Sequence, residues 1–275
     1  NIKENNIPLL LLNARITKKS FNRWKNIPDT SKNLFSQFDV CLSQSKETHK
    51  YLKHLGAKKI KLFGNLKFSE SDNEKNNNIK NKLKKIFKFR KIWCAASTHD
   101  TEEKLSALAH KKLKKKYKDL LTIVIPRHIQ RANDIINETK DLDLNVQTRS
   151  SSNKINNNTD IYLVDTYGES KSFYKICKTV FLGGSLFNHG GQNPIEAARF
   201  GCKIIHGPYV QNFTEVYKLL KTYNISFKIK NVEQLVHRID KSFLKKTNFS
   251  KKTDKLKKLG SIILSKTYSE LDNYL

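Results

Sequence analysis

Methionine is missing altogether, tryptophan occurs twice and proline five times in 275 residues. Without an initiating methionine the chain reads as a processed, truncated or partial piece of a longer protein, and any leader or anchor is expected upstream of residue 1. Acidic residues are scarce: 25 Asp and Glu face 53 Lys and Arg, a net charge of +28. Such a balance favours anionic partners, among them nucleic acid, an acidic membrane surface or a phosphorylated substrate. Yet the excess is mostly Lys, accompanied by Asn and Ile and spread along the chain, as in a composition that writes Lys wherever a solvated residue is tolerated. No nucleic-acid-binding signature accompanies it. Long apolar runs are also lacking; those around Leu9–Leu12 and Leu120–Ile125 fall well short of the ~18 residues of a membrane span. The four cysteines, Cys41, Cys94, Cys177 and Cys202, are isolated. Their spacing fits neither a zinc site nor a redox pair, so buried reduced thiols in a reducing compartment are expected.

What is present is a regular alternation. Short apolar runs at 7–12, 40–42, 60–63, 92–96, 120–125, 161–164, 180–182 and 203–205 read as strands, with a weak one near 144–146. Helical patterns separate most of them, as in parallel βαβ units. Among these helices, 45–55 stops at Gly56, while Asp100 with Glu103, and Asn212 with Glu215, occupy capping-box positions. The segment Ser69–Asn78 holds no apolar residue and marks the clearest boundary. A basic helix over 79–89 follows it, and the C-terminus is expected to be helical over 231–246 and 253–274.

One stretch organises the rest. Residues 183–201 follow the apolar run Val180-Phe181-Leu182, and four of the ten glycines (Gly183, Gly184, Gly190, Gly191) fall within the first nine positions. Asn193, Pro194 and Glu196 suit N-cap, N1 and N3 of a helix that Gly201 would stop. A strand, a glycine loop and a helix start together suit a phosphate, because glycine admits close backbone approach and the first helical N–H groups are unpartnered. A ligand-free tight turn uses the same pattern. Three further polar clusters, Ser97–Asp100, Pro126–His128 and Asp165–Glu169, also end strands, where open α/β sheets bind ligands.

Taken in order, Asn13-Ala14-Arg15, Gly64-Asn65-Leu66-Lys67, Ala96-Ser97-Thr98-His99, Pro126-Arg127-His128, Asp165-Thr166-Tyr167-Gly168-Glu169, Gly183-Gly184-Ser185 and Gly190-Gly191-Gln192-Asn193-Pro194-Ile195-Glu196 resemble the 3-deoxy-D-manno-octulosonic acid (Kdo) transferases of lipopolysaccharide synthesis. The resemblance runs from about residue 7 to about 222. It implies an α/β GT-B glycosyltransferase with two Rossmann-like, doubly wound parallel sheets facing a cleft. Residues 1–66 would be the C-terminal part of the acceptor domain, 67–252 a complete donor domain, and 253–275 a C-terminal helix packing back on the first. The implied reaction moves Kdo from CMP-Kdo to a phosphorylated lipid A precursor, with inversion and without metal or other cofactor, at the cytoplasmic face of the bacterial inner membrane. Membrane association would be peripheral or anchored through the missing N-terminus, with no nucleic acid involved. CMP would be held by Pro126 and Arg127, by Tyr167, Gly168 and Glu169, and by Asn193, Pro194, Ile195 and Glu196. Lys67 would steady transition-state charge, and the general base would lie upstream of residue 1.

The sequence departs from the family at Gln192 (usually His), Ala197 (usually Pro), Tyr167 (often Met) and Thr101 (often Gly). Other readings stay open. Arg127 could pair with a neighbouring carboxylate, Glu196 could cap its own helix, Glu169 could serve a helix dipole, and Lys67 could be one surface lysine among many. His99, His128 and His189 fit no zinc signature and are expected in hydrogen-bonding or loop roles. The run Lys111–Lys116 is expected to be a solvated helix face. The rival classes are a UDP-sugar transferase or epimerase of the same fold and a basic nucleic-acid-binding module.

Overall fold

The computed structural model describes residues 3–70, 86–151, 155–244 and 250–275. The compositional break at 71–78, most of the expected basic helix, and residues 152–154 and 245–249 lie outside them. The chain divides into two compact units, residues 1–72 with 254–275, and residues 73–253.

In the first unit β1 (Leu10–Ala14), β2 (Val40–Ser43) and β3 (Ile60–Leu62) form a parallel sheet in the order β1-β2-β3. The strand expected over 7–12 starts three residues later, because Ile7 and Leu12 are exposed and Ala14 supplies the buried end. Helices α1 (Lys18–Lys25), α2 (Pro28–Phe35) and α3 (Lys46–His54) connect the strands. Ser45 caps α3 by accepting the Thr48 N–H at 3.1 Å, and Gly56 (φ +100°) turns the chain out of it. Phe35, Cys41, Leu52 and Leu55 form the core, with Phe21 and Trp24 packed against it. The C-terminal helix, the last of the fold, closes this unit: Ile263 stands at Gly64, and Glu270 pairs with Lys61 and, at 3.8 Å, with Lys59.

The second unit is a seven-stranded parallel sheet. Its strands are β4 (Lys91–Thr98), β5 (Leu120–Pro126), β6 (Val146–Thr148), β7 (Ile161–Leu163), β8 (Thr179–Leu182), β9 (Lys203–His206) and β10 (Ser226–Lys228), in the order β10-β9-β8-β4-β5-β7-β6. The sequence pattern gave no sign of β10, a three-residue edge strand with one buried side chain. Between the strands run α4 (Glu102–Lys114), α5 (Ala132–Lys140), α6 (Ser170–Tyr174), α7 (Ile195–Arg199) and α8 (Thr214–Thr222); α9 (Val232–Leu244) and α10 (Ser250–Leu271) follow. The first strand of this unit, β4, lies between β5 and β8, so chain order reverses at the β4–β8 pair. Continuous apolar runs form the central strands because helices cover both faces. Trp93, Leu120, Phe181 and Ile205 pack with Leu113 of α4 and Leu235 and Ile239 of α9. Each side chain of this size contributes roughly 1.5–3 kcal/mol by full burial.

Charge is organised as well as excessive. On α4 and just beyond it the lysine run is paired as well as solvated: Lys111, Lys112 and Lys116 reach Asp143, Glu233 and Asp240 at 3.3, 2.6 and 2.7 Å. Lys114 reaches Asp160, which also accepts from His110 and from the Asn145 N–H. Burial works against the Asp160 carboxylate, yet those bonds from His110, Lys114 and Asn145 hold it down at about 2. No helix among the described residues is long and apolar enough to cross a membrane.

Buried neutral imidazoles make this unit acid-sensitive. Burial lowers His110, and it lowers His206, at the end of β9, from the usual 6.5 to about 4. The unfolded state therefore takes up protons below pH 6.5 that the folded state refuses, and stability falls as pH drops toward 4. For His206 alone the loss is about 3 kcal/mol over that window. Urea denaturation at pH 7 and pH 4.5 should show a smaller loss in His206→Gln than in the wild type; equal losses would contradict this reading.

Candidate active site

The loops after β4, β5, β7 and β8 meet around the point where strand order reverses, the place where open parallel sheets bind ligands. Backbone bonds tie them together: Arg127 N–H donates to Thr98 O at 2.9 Å, and Gly183 N–H to Ala96 O at 2.9 Å. A Cβ on Gly183 would stand 2.5 Å from Ser97 O, so β8 can approach β4 this closely only with glycine there.

The centre of this arrangement is Glu102, in the first turn of α4 and fully buried. Its carboxylate accepts from the backbone N–H groups of His99 (3.0 Å), Gly184 (2.6 Å), Ser185 (3.0 Å) and Leu186 (2.9 Å). The first half of the glycine loop is thus an anion nest already filled by a side chain of the protein. Its amides are not available to a ligand phosphate, and the second glycine pair is buried too, with the Gly191 N–H donating to Gly184 O at 2.7 Å, so the loop turns His189 and Gln192 toward His99 instead. The capping box expected from Asp100 and Glu103 is absent. Thr101 stands at the N-cap of α4 with φ +68° and makes no side-chain cap bond; this is the left-handed conformation that explains why glycine is common here in the resembling family. Glu103 is instead buried, pairs with Arg131 at 3.0 Å, and is raised by burial to about 7.

The helix start after the glycines also differs from the sequence pattern. Helix α7 begins at Ile195 with Pro194 in the cap position, and Asn193 Oδ1 accepts the Ile195 N–H at 3.1 Å. Glu196 is therefore the second helical residue. Five residues sum only a small macrodipole, so the helix itself is a minor source of positive potential. Gly190 is fixed by Asn212, whose N–H donates to Gly190 O at 3.0 Å. That contact replaces the capping role expected for Asn212; α8 begins at Thr214 after a turn over Gln211–Phe213. Tyr217 OH donates to Gln192 O at 3.0 Å and holds the same loop from α8.

Pro126 is the buried last residue of β5, and it projects Arg127 into solvent at the rim. No carboxylate among the described residues pairs with Arg127. Tyr167 is 67% exposed, its hydroxyl 3.4 Å from Gln130 Nε2. Gly168 (φ +81°) turns the chain into Glu169. Burial opposes the Glu169 carboxylate, but it is held below the usual range by the two-pronged Arg149 guanidinium (2.8–3.1 Å) and by Thr166 Oγ1. Arg149 sits in the polar loop after β6, and its role was not legible in the sequence. Glu196 lies 3.7 Å from Lys171. Two carboxylates beside a phosphate site would repel an anionic ligand; each has a cation at hand, which leaves its oxygens able to accept from hydroxyls at little electrostatic cost.

His99, His128 and His189 come together although they are far apart in sequence. The His99 ring stacks on His189 (centroids 4.4 Å, 14°) and meets His128 edge-on at 5.6 Å. Gln192 Nε2 lies 3.4 Å from His99 Nε2. The only sequence signal that could have found this cluster is that His99 directly follows β4, His128 stands two residues past the end of β5, and His189 follows Gly183-Gly184 after β8. No three His, Cys, Asp or Glu side chains among the described residues are placed to hold a metal ion. Lys67 belongs to the first unit. There Asn13 Oδ1 accepts the Leu66 N–H (3.1 Å) and Asn65 Oδ1 the Lys67 N–H (3.0 Å), so two of the motifs meet in one turn with Lys67 exposed on it.

A cavity of about 500 Å³ lies at the other end of the second sheet, where Lys91 opens β4 and Thr179 opens β8. Lysines and Arg90 rim it, but Arg90 is spent on the carbonyls of Asp119 and Thr159. It holds none of the clustered residues and stands at the strand amino ends, away from the reversal point.

Glu102 gives a direct test of how the loops are held. Glu102→Ala removes the acceptor of four backbone N–H groups and should cost about 3 kcal/mol of stability. Hydrogen exchange at Gly184, Ser185 and Leu186 should accelerate; unchanged exchange at these amides would contradict the latch.

Residues 1–70 match the family described as 3-Deoxy-D-manno-octulosonic-acid transferase (kdotransferase). The chain is 33% identical to the 3-deoxy-D-manno-octulosonic acid transferase of Haemophilus influenzae over 78% of its own length and 51% of that protein. It is 30% identical to the Rickettsia bellii transferase over 97% of itself and 63% of that protein. It therefore spans 51% and 63% of the length of these two relatives. Among solved structures, the C-terminal CMP-Kdo-binding domain of an Acinetobacter baumannii protein aligns at 25% identity and TM-score 0.57, covering 66% of this chain and 93% of that domain. A UDP-GlcNAc 2-epimerase from Neisseria meningitidis shares the fold at TM-score 0.59 and 12% identity, covering 98% of this chain and 71% of the other. With its GT-B-type parallel α/β sheets and its ordered motifs, the chain belongs to the family of 3-deoxy-D-manno-octulosonic acid transferases.

Proposed function

We propose that the chain is the donor-handling part of a Kdo transferase of lipopolysaccharide synthesis. The donor is CMP-Kdo and the acceptor a phosphorylated lipid A precursor. Transfer proceeds with inversion and without metal or other cofactor, at the cytoplasmic face of the bacterial inner membrane, with peripheral or anchored association through the N-terminal part of the enzyme. The observation that carries this reading is convergence: Pro126-Arg127, Tyr167-Gly168-Glu169 and Asn193–Glu196 all stand at strand carboxyl ends around the reversal point, with an exposed guanidinium among them.

Each group has a task. Arg127 offers a planar fork to the CMP phosphate. Gly190 and Gly191, both at positive φ, shape the turn that brings His189 and Gln192 beside His99. Tyr167 offers a ring face to the cytosine, while Glu169 and Glu196, each beside a cation, accept from the ribose hydroxyls. As the Kdo–phosphate bond breaks, charge builds on the CMP phosphate, and fixed donors aimed there lower the barrier. Lys67, in the first unit, keeps the role the family resemblance gives it, steadying transition-state charge. Proton abstraction from the acceptor hydroxyl is assigned to none of these residues. The charge of +28 suits a phosphorylated lipid at an acidic leaflet. Lys111, Lys112, Lys114 and Lys116, paired with Asp143, Glu233, Asp160 and Asp240, do not offer the open basic face that a nucleic-acid module needs.

Calorimetry with CMP, UMP and UDP tests the site. CMP should bind best, and Arg127→Ala should weaken it at least tenfold, or about 1.4 kcal/mol. Equal affinity for wild type and variant would remove Arg127 from the site. A clear preference for UDP would favour a UDP-sugar enzyme, and steeply salt-dependent duplex binding without nucleotide preference a nucleic-acid module.

A further inference from the structure

We propose that His99 binds the donor's phosphate as an imidazolium, taking one proton from solvent as the donor enters and releasing it as the nucleotide leaves. This deepens the CMP-Kdo reading above and rests on it. His99 directly follows β4 at the reversal point and is half-buried. From the β8 loop it is faced by His189, stacked at 4.4 Å, and by Gln192; from the end of β5 by His128 at 5.6 Å and by Arg127; from α4 by Glu102, whose carboxylate takes the His99 N–H. With no anion in place this crowd disfavours a charged ring. Burial first, then His189, His128 and Arg127, lower its affinity for a proton, and the Glu102 charge only partly opposes them.

A phosphate entering beside Arg127 and His99 reverses the balance, since an anion a few ångströms away favours the charged form. Protonation then costs no hydrogen bond. Gln192 Nε2 donates to a neutral Nε2 of His99 at 3.4 Å; when that nitrogen gains a proton, a half-turn of the amide presents Oε1 as acceptor. A histidine, usual at this position in the family, would add a fourth imidazole instead. Gln192 thus leaves the titration to His99, and the departure from the family pattern becomes a feature of the site.

The test uses the methyl ester of CMP, a phosphodiester that, unlike the phosphate monoester of CMP with its pKa near 6, keeps one charge throughout. Calorimetry at pH 7 in two buffers of different ionisation enthalpy should show net proton uptake in the wild type. Its Kd should rise with pH toward tenfold per unit between 6 and 8. In His99→Gln the uptake should vanish and the affinity become flat with pH. His189→Gln, at an exposed position, removes the stacked neighbour and should move the fall in affinity to higher pH. Tight, pH-independent binding of the ester by the wild type, or uptake unchanged in His99→Gln, would overturn the proposal while leaving the donor reading intact. No binding of the ester at any pH would remove that reading and the proposal with it.

Discussion

The second unit depends on one buried carboxylate. Glu102 collects four backbone N–H groups from two loops that are more than 80 residues apart in sequence, and so fixes where β8 ends relative to β4. A carboxylate so placed repays its desolvation only because all four bonds are made. The consequence for chemistry is geometric. The glycine-rich turn is built to hold an anion, and the anion it holds is internal. The second glycine pair is packed inward as well, against Asn212 and Val210, and what the loop presents beside His99 are the side chains of His189 and Gln192.

Around that fixed point the charges are graded. Carboxylates that face the crevice carry cations: Glu169 is gripped by Arg149, and Glu196 has Lys171 nearby. Arg127 keeps its guanidinium at the rim. Burial first, and then the His189 ring, disfavour a charged His99. The large positive charge of the chain is partly neutralised elsewhere, as by the ion pairs along α4.

Much of this was legible in the sequence. The central strands announced themselves as continuous apolar runs, and the polar clusters at their ends pointed to the ligand side of the sheet. What could not be read were long-range partners. Asp100 and Glu103 fit a capping box by local spacing, but Glu102 and Glu103 are drawn inward by Gly184 and Arg131, so the box does not form. Asn193 lies one residue further from its helix than the pattern implied, because α7 is only five residues long. The edge strand β10 carries too few apolar residues to register. The three histidines match no spacing rule, since only the strand order brings positions 99, 128 and 189 together. Arg149, in a polar loop of Ser and Asn, carries no sequence signal that points to its partner Glu169.

The central claim is that nucleotide binds at the strand carboxyl ends of the second unit, around Arg127, Tyr167 and Gly190–Asn193. Backbone amide shifts of the isotope-labelled chain, followed during a CMP titration, address it residue by residue. The account predicts the largest changes at His99, Arg127, Gly168, Gly190, Gly191 and Asn193, with the Glu102-bound amides of Gly184 and Ser185 moving little. Changes centred on Lys88, Lys91 and Lys178, around the cavity at the opposite end of the sheet, would contradict it.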